Sequence, residues 1–234
     1  GYTLIEFPRL HPALKDIFED QLEQKLEKPG ENFLEKIQRI PSNKIALLCV
    51  AVDPLTSSLV NLDFINQIKN KEILIILDDT HGLGVLGNGG GGYLELYPEL
   101  KKYNIVLISS LAKGISLPGG LIAGTQNIIN QIENSGHFTG SSPISPAYLQ
   151  AFNEVQGEYQ LQRVHLNKMI QHFTERINHE HIKNKLDRFP IFILKHPDAG
   201  IRLKKNGIWI SSIRYPYPHS ELLNRIILNG THSE

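Results

Sequence analysis

Residues 73–81 read Ile-Leu-Ile-Ile-Leu-Asp-Asp-Thr-His, an unbroken apolar run that ends in two acids, a threonine and a histidine. A run of this length without alternation is typical of a strand that is buried on both faces. Two more runs of the same kind lie at 45–52 and 105–108. Because helical segments separate the three runs, the sequence predicts an α/β fold with a mostly parallel sheet.

The segments around these runs have helical character. Residues 12–27 predict a helix that ends before Pro29-Gly30, and apolar residues at helical spacing predict a second helix over 33–40. Weaker helical stretches are expected over 62–68 and 94–102. Together with the buried runs, these helices would form one layered large domain.

The C-terminal part has a different order of elements. Ser145-Pro146 is a typical helix start, because proline suits the first helical position. A helical stripe follows at Leu166, Met169, Phe173 and Ile177. Three strand-like runs come next, at 191–194, 208–213 and 225–228. We therefore expect a large domain over 1–155 and a small C-terminal α/β domain over 156–234, with Trp209 in the core.

The composition excludes several functional classes. Twenty-four basic residues balance 24 acidic ones, so no overall attraction to nucleic acid or to an acidic membrane is expected. Cys49 is the only cysteine, which excludes an intrachain disulfide and a cysteine-based zinc site. His179 and His181 do not have the spacing of a helical metal pair, so no metal is expected. Without a signal peptide or an apolar run of roughly 18 residues, a cytoplasmic protein is expected.

Two segments that follow buried runs could carry chemistry. In open α/β sheets ligands bind beyond the carboxyl ends of the strands, where Asp78 and His81 are expected to lie; a turn cap and an exposed histidine fit equally well. The segment 82–92 holds many glycines, which permit a close backbone approach. It lacks the pattern of a phosphate-binding P-loop and fits a dinucleotide-binding turn poorly, so a flexible surface loop is the simpler interpretation.

Lys113 and Ser110 follow the third buried run. A desolvated lysine at a strand end can form a Schiff base, although a lone lysine is more often an ordinary surface residue. The combination is more specific, because pyridoxal phosphate (PLP) needs an acid for its pyridine nitrogen, a lysine and phosphate donors. Asp78 and Lys113, 35 residues apart, together with Ser110 supply these groups.

The same segments resemble the α-oxoamine synthases, PLP-dependent enzymes of the fold type I aminotransferase superfamily that include 8-amino-7-oxononanoate synthases. Residues 78–92 resemble the family pattern D-[DE]-A-H-[GS]-x-G-V-x-G-x-x-G-[RG]-G, and residues 109–124 resemble T-x-[GS]-K-A-x-G-x-x-GG-x-[IV]-x-G. Further matches lie at 137–147, 207–218 and 224–234. The resemblance implies fold type I, with part of the large domain and the small C-terminal domain present.

The resemblance also implies a role for each matching residue. Lys113 would form the Schiff base with PLP and then move a proton at the substrate α-carbon. Asp78 would hold the pyridine nitrogen protonated, and His81 would hydrogen-bond the phenolic oxygen. Ser110 would donate to the phosphate. In this family both subunits of a homodimer build each site, and Thr139 matches a residue that reaches the phosphate of the neighbouring subunit.

Arg225 is the candidate ligand for the substrate carboxylate, since a guanidinium binds carboxylates bidentately; a C-terminal surface arginine is the equal alternative. The sequence departs from the family where Gly91 or a neighbour replaces an arginine and where Leu223 replaces another, and the family's N-terminal segment is not found. We expect a PLP-dependent transferase that condenses an amino acid with an acyl-coenzyme A. A PLP-dependent aminotransferase and a non-catalytic truncated homologue that acts as a binding protein are the alternatives.

Overall fold

The computed structural model describes residues 1–7, 10, 14, 33–215 and 217–233. Except for Leu14, the helix expected over 12–27 lies outside these residues. The strands, in chain order, are β1 (Thr3–Glu6), β2 (Lys44–Val50), β3 (Val52–Asp53), β4 (Ser58–Leu59), β5 (Glu72–Asp78), β6 (Asn104–Ser110), β7 (Gly120–Ala123), β8 (Ile182–Lys185), β9 (Ile191–Leu194), β10 (Ser211–Arg214) and β11 (Leu222–Ile227). The helices are α1 (Phe33–Arg39), α2 (Tyr93–Leu96), α3 (Gln126–Glu133), α4 (Gly136–Thr139), α5 (Pro146–Glu154), α6 (Gln156–Arg176) and α7 (Ala199–Lys205).

Short 3-10 turns complete the described elements, at Asp63–Gln67, Pro98–Lys102 and His179–His181. The first two occupy the stretches for which weak helical character was predicted. None of the helices in the described ranges is long and apolar enough to cross a bilayer.

Five strands form the main sheet in the order β1-β2-β5-β6-β7. Strands β2, β5 and β6 coincide with the three apolar runs, and every residue of β2 after Lys44 is buried. The first four strands of the sheet are parallel, and only β7 runs antiparallel to its neighbour. The prediction of an α/β fold with a mostly parallel sheet is therefore confirmed.

The register of the sheet brings two chemically important strand ends together. Asp78 pairs with Val50 on one side and with Ile108 on the other, so β5 ends between its two neighbours. Since β5 and β6 are parallel, Asp78 and Ser110 lie at the same, carboxyl edge of the sheet. This edge is where ligands bind in open α/β sheets.

A second sheet has the order β10-β11-β9-β8 and is antiparallel throughout. Helix α6 packs on it through Ile170, and the rings of Phe173 and Phe192 meet edge to face at 4.8 Å. The Ser57 hydroxyl donates to the Ile191 carbonyl at 3.0 Å, which ties the second sheet to the loop after β3. Helix α6 begins at Gln156, close to the expected domain boundary, which stays a prediction.

Trp209 corrects one expectation from the sequence. Its side chain is 76% exposed, and the ammonium of Lys204 lies 4.4 Å from the centre of its ring. The chain turns after α7 at Gly207, where φ is +79°, and the next strand starts only at Ser211. Trp209 therefore precedes the strand, and the expectation that it belongs to the core is wrong.

Candidate active site

The ends of β5 and β6 are joined by polar contacts just beyond the sheet. The Asp78 carboxylate accepts a hydrogen bond from the Thr80 amide at 3.0 Å. The Thr80 hydroxyl oxygen in turn accepts from the Ser110 amide at 2.9 Å. These two bonds fix the path of the chain from Asp78 towards His81.

The glycine-rich loop, residues 82–92, lies against the segment that carries Lys113. Gly84 has φ of +83°, and a Cβ atom there would lie 2.9 Å from the carbonyl of Gly114. A Cβ atom on Gly114 would collide with the carbonyl oxygen of Leu83. Both positions therefore require glycine, because only bare backbone lets the two segments approach this closely.

This close approach brings the two central predicted residues into contact. Lys113 Nζ and His81 Nε2 lie 2.9 Å apart. Although the lysine side chain as a whole is exposed, partial burial of its amine lowers the pKa of Lys113. The negative charge of Asp78 opposes this shift, and the positive charge of Arg225 adds to it. A lowered pKa leaves more of the amine neutral and nucleophilic near neutral pH.

Arg225 lies in the wall of the same site rather than on open surface. Its guanidinium donates to the Ser211 hydroxyl at 3.2 Å and to the Pro54 carbonyl at 3.4 Å. Its Nε atom is buried without a hydrogen-bond partner, and desolvation lowers the pKa of the group. A buried donor without a partner is costly, which points to an acceptor on a ligand.

His81, Lys113 and Arg225 share one cavity of about 810 Å³. Tyr159 and Arg163 of α6 line it as well, and apolar side chains supply much of the remaining wall. Among the described residues that line it, none is an aspartate or a glutamate. A cavity with cationic groups and no facing carboxylate suits an anionic ligand.

The structure does not bring every predicted residue into this wall. Asp78 and Ser110 lie at the sheet edge behind it, and Ser110 Oγ accepts from the Ala112 amide at 3.3 Å. Thr139 is exposed at the end of α4, where its hydroxyl donates to the Ser135 carbonyl at 3.1 Å. The cofactor contacts expected for Asp78, Ser110 and Thr139 stay predictions.

Two carboxylates that sequence reasoning missed organise the glycine-rich loop. Asp79 is fully buried, its carboxylate accepts from the Tyr93 amide at 2.8 Å, and burial raises its pKa to about 7. Glu95 accepts from the amides of Gly89 at 2.8 Å and Gly91 at 2.7 Å. The segment is thus a hydrogen-bonded structure around two acids, and its interpretation as a flexible surface loop is not supported.

Sequence reasoning also missed Tyr159 and Arg163. Both come from a helix whose apolar stripe was its only recognised feature, and 44 residues separate Tyr159 from its hydrogen-bond partner Ile115. Such contacts leave no local pattern, although a tyrosine and an arginine four positions apart do share one helix face.

Comparison with known sequences gives a consistent picture. The sequence profile of the aminotransferase class I and II family matches residues 4–234. The 8-amino-7-oxononanoate synthase of Petrotoga mobilis is 25% identical over 244 residues, which cover 99% of this chain and 61% of that protein. The synthase of the same name from Pseudomonas syringae is 31% identical over 180 residues, covering 71% and 45%. The chain thus spans about half the length of the curated relatives it matches.

Two solved structures share the fold over the whole of this chain. The 8-amino-7-oxononanoate synthase of Francisella tularensis superposes with a TM-score of 0.72 at 22% identity, with 71% of that protein covered. The serine palmitoyltransferase of Sphingomonas wittichii gives 0.79 at 15% identity, with 63% covered. At these identities the likeness concerns the fold, and it confirms the expected fold type I architecture.

Proposed function

Because the chain belongs to the aminotransferase class I and II family, we propose that it binds PLP and acts as a PLP-dependent transferase. The family resemblance drawn from the sequence is confirmed. One observation carries the proposal: Lys113 and His81 meet at 2.9 Å in the wall of a cavity that also holds Arg225. A lysine amine of lowered pKa, beside a histidine and facing a cationic cavity, is what attachment of an anionic aldehyde requires.

The residues present fit this cofactor. Asp78 ends β5 at the sheet edge beyond which Lys113 lies, and its charge acts to raise the pKa of that amine. Ser110, at the end of β6, offers a hydroxyl at the same sheet edge. No aspartate or glutamate is among the described residues that line the cavity, which favours a phosphate group there.

When bound, PLP supplies an electron sink for the α-carbon of an amino acid. Lys113 would hold the cofactor through Nζ and, once the substrate amine replaces it, would take and return the proton at the α-carbon. Asp78 would keep the pyridine nitrogen protonated, and His81 would donate to the phenolic oxygen. Arg225 would bind the substrate carboxylate through its free Nε–H and its terminal nitrogens.

For the reaction, we propose condensation of an amino acid with an acyl-coenzyme A. The relatives named 8-amino-7-oxononanoate synthase support it, as does the presence of Lys113, His81 and Arg225 in one cavity. We further propose a homodimer in which Thr139 reaches the phosphate in the neighbouring subunit. Transamination is the second candidate, because the matching profile is that of the class I and II aminotransferases.

Titration of the purified chain with PLP tests the cofactor assignment. We expect wild-type protein to gain visible absorbance that borohydride converts into a stable adduct, which peptide mass spectrometry would locate at Lys113. Lys113→Ala should gain no such band, whereas Lys101→Ala, which removes an exposed lysine, should behave as wild type.

Either of two outcomes would contradict the assignment of PLP to Lys113: no adduct in wild type, or an equal adduct in Lys113→Ala. The first of these would favour a non-catalytic binding protein. If the adduct forms, product release that depends on acyl-coenzyme A supports condensation, and release of a keto acid without it supports transamination.

A further inference from the structure

Helix α6 presents two polar side chains to the site that the proposed chemistry does not use. Tyr159 and Arg163 are four residues apart, so they lie on one face of the helix. Both line the cavity that holds Lys113 and His81. Tyr159 contacts the segment that carries Lys113, and Arg163 contacts the glycine-rich loop. These two segments meet each other at Gly84 and Gly114.

Tyr159 contacts the segment that carries Lys113. Its hydroxyl donates to the carbonyl oxygen of Ile115 at 2.7 Å, two residues after the lysine. The Lys113 carbonyl itself accepts from the Ser116 amide at 3.1 Å, which closes a turn at this point. The tyrosine therefore fixes the turn to which the lysine side chain is attached, without touching its amine.

Arg163 contacts the glycine-rich loop. A Cβ atom on Gly90 would lie 2.9 Å from Arg163 Cδ and 3.1 Å from Cζ, so the arginine side chain packs directly on the bare backbone. Hydrogen bonds from the amides of Gly89 and Gly91 lower the pKa of Glu95, and the positive charge of Arg163 adds the smallest contribution. Arg163 thus supports the loop mainly by packing.

Together, these contacts attach helix α6 to both segments of the site. One helix face holds the lysine turn at Ile115 and the glycine-rich loop at Gly90, and between these points the two segments touch at Gly84 and Gly114.

We propose that Tyr159 and Arg163 are positioning residues, which press the lysine turn and the glycine-rich loop together and so maintain the contact between Lys113 and His81. The significance of this role rests on the proposed function, but its test does not. If the two segments separate, water reaches the lysine amine, and the pKa of Lys113 moves up towards its ordinary value.

Competitive labelling of lysine amines with acetic anhydride tests the proposal on the cofactor-free chain. Labelling is followed at each lysine by mass spectrometry from pH 6 to 11, so that the pH midpoint of Lys113 is separated from its accessibility. We expect Tyr159→Phe and Arg163→Gln each to raise the midpoint and to lower Lys113 labelling at pH 7 severalfold, since a higher pKa leaves less of the amine neutral.

The controls lie within the same molecule. Arg176→Gln changes an exposed arginine in the last turn of α6 and should leave Lys113 as in wild type. The exposed Lys101 should label equally in every variant.

An unchanged Lys113 profile in folded Tyr159→Phe and Arg163→Gln would overturn the proposal, whatever happens to thermal stability. If the Lys113 midpoint shifts as expected but the wild type forms no PLP adduct, the proposed function fails and the positioning role stands.

Discussion

The glycine-rich loop and the segment 118–168 differ sharply in how they are held. The loop is wrapped around Asp79, which is fully buried, and around the amide-bonded Glu95. In the segment 118–168, every residue of which is described, no residue is buried, although helices α3 and α5 lie within it. The loop owes its shape to contacts inside the chain, whereas the apolar stripes of these helices are at most half-buried by the described residues.

This difference reflects two ways in which a sequence can specify structure, one through contacts within a segment and one through a face that another surface must cover. A glycine with positive φ or a buried carboxylate specifies a structure that its own neighbourhood completes. An amphipathic helix specifies only that some apolar surface will cover one of its faces. Substitutions in the loop should therefore be costly, and comparable substitutions in the exposed segment should not.

Gly92→Ala should give the largest effect. Gly92 has φ of +75°, and a Cβ atom there would collide with the Asp79 carboxylate. Backbone strain and displacement of a buried acid together should lower the free energy of unfolding by about 3–4 kcal/mol. Urea denaturation followed by circular dichroism measures this loss.

Gly157→Ala is the matched control for Gly92→Ala. Gly157 lies in the first turn of α6, and a Cβ atom there would meet nothing within 4 Å. Alanine should stabilise the helix by about 0.5–1 kcal/mol. Equal losses in the two variants would show that the loop is no more tightly specified than the exposed segment.

Asp79→Asn should change how stability depends on pH. Burial raises the pKa of Asp79 to about 7 in the folded chain, well above its ordinary value of 3.8. Between these two values the folded state binds the proton more tightly than the unfolded state, so stability falls as pH rises from about 4 to 7. Asparagine cannot ionise and should remove this term, which amounts to roughly 2–3 kcal/mol between pH 5 and 8.

Urea midpoints of wild type and Asp79→Asn, measured at intervals from pH 5 to 8, check this expectation. The urea midpoint of the variant should rise relative to that of wild type as the pH increases, and the difference should become constant above pH 7. A constant difference across the range would mean that Asp79 is ionised throughout, and its burial would then not control its charge.

The strands that the sequence predicted are those with a purely local signal. Strands β2, β5 and β6 are apolar runs, and the helical segments between them predict that they run parallel. Strand β7 is exposed at all four residues and β8 reads Ile-Lys-Asn-Lys, so neither shows a buried run or a clear alternation. Pairing with a neighbour, rather than composition, makes them strands.

The residues of the site likewise fall into those with a local sequence signal and those without one. Asp78, His81 and Lys113 follow buried strands within recognisable motifs, and the structure brings the last two into contact. Tyr159 and Arg163 reach the site only because a distant helix folds back onto it. Their contacts depend on the tertiary arrangement of α6, which no short pattern in the sequence encodes.

The smallest effect is expected for Leu161→Ala in α6, a helix that carries both exposed and buried apolar side chains. Leu161 is 62% exposed and Met169 is 6% exposed. Leu161→Ala should change the free energy of unfolding by less than about 0.5 kcal/mol, because it buries little surface in this chain. Met169→Ala should cost about 2–4 kcal/mol, because it removes most of a buried side chain and leaves a cavity.

Urea denaturation of both variants at one pH compares the two environments on the same helix. A loss of 2 kcal/mol or more for Leu161→Ala would mean that this face of α6 is covered in solution, and a rise in the loss with protein concentration would identify a second copy as the cover. A small loss, independent of concentration, would show that Leu161 is solvated in the isolated chain. The exposed face of α6 would then keep its conformation without being covered, whereas the glycine-rich loop depends on the buried Asp79 and on the hydrogen bonds to Glu95.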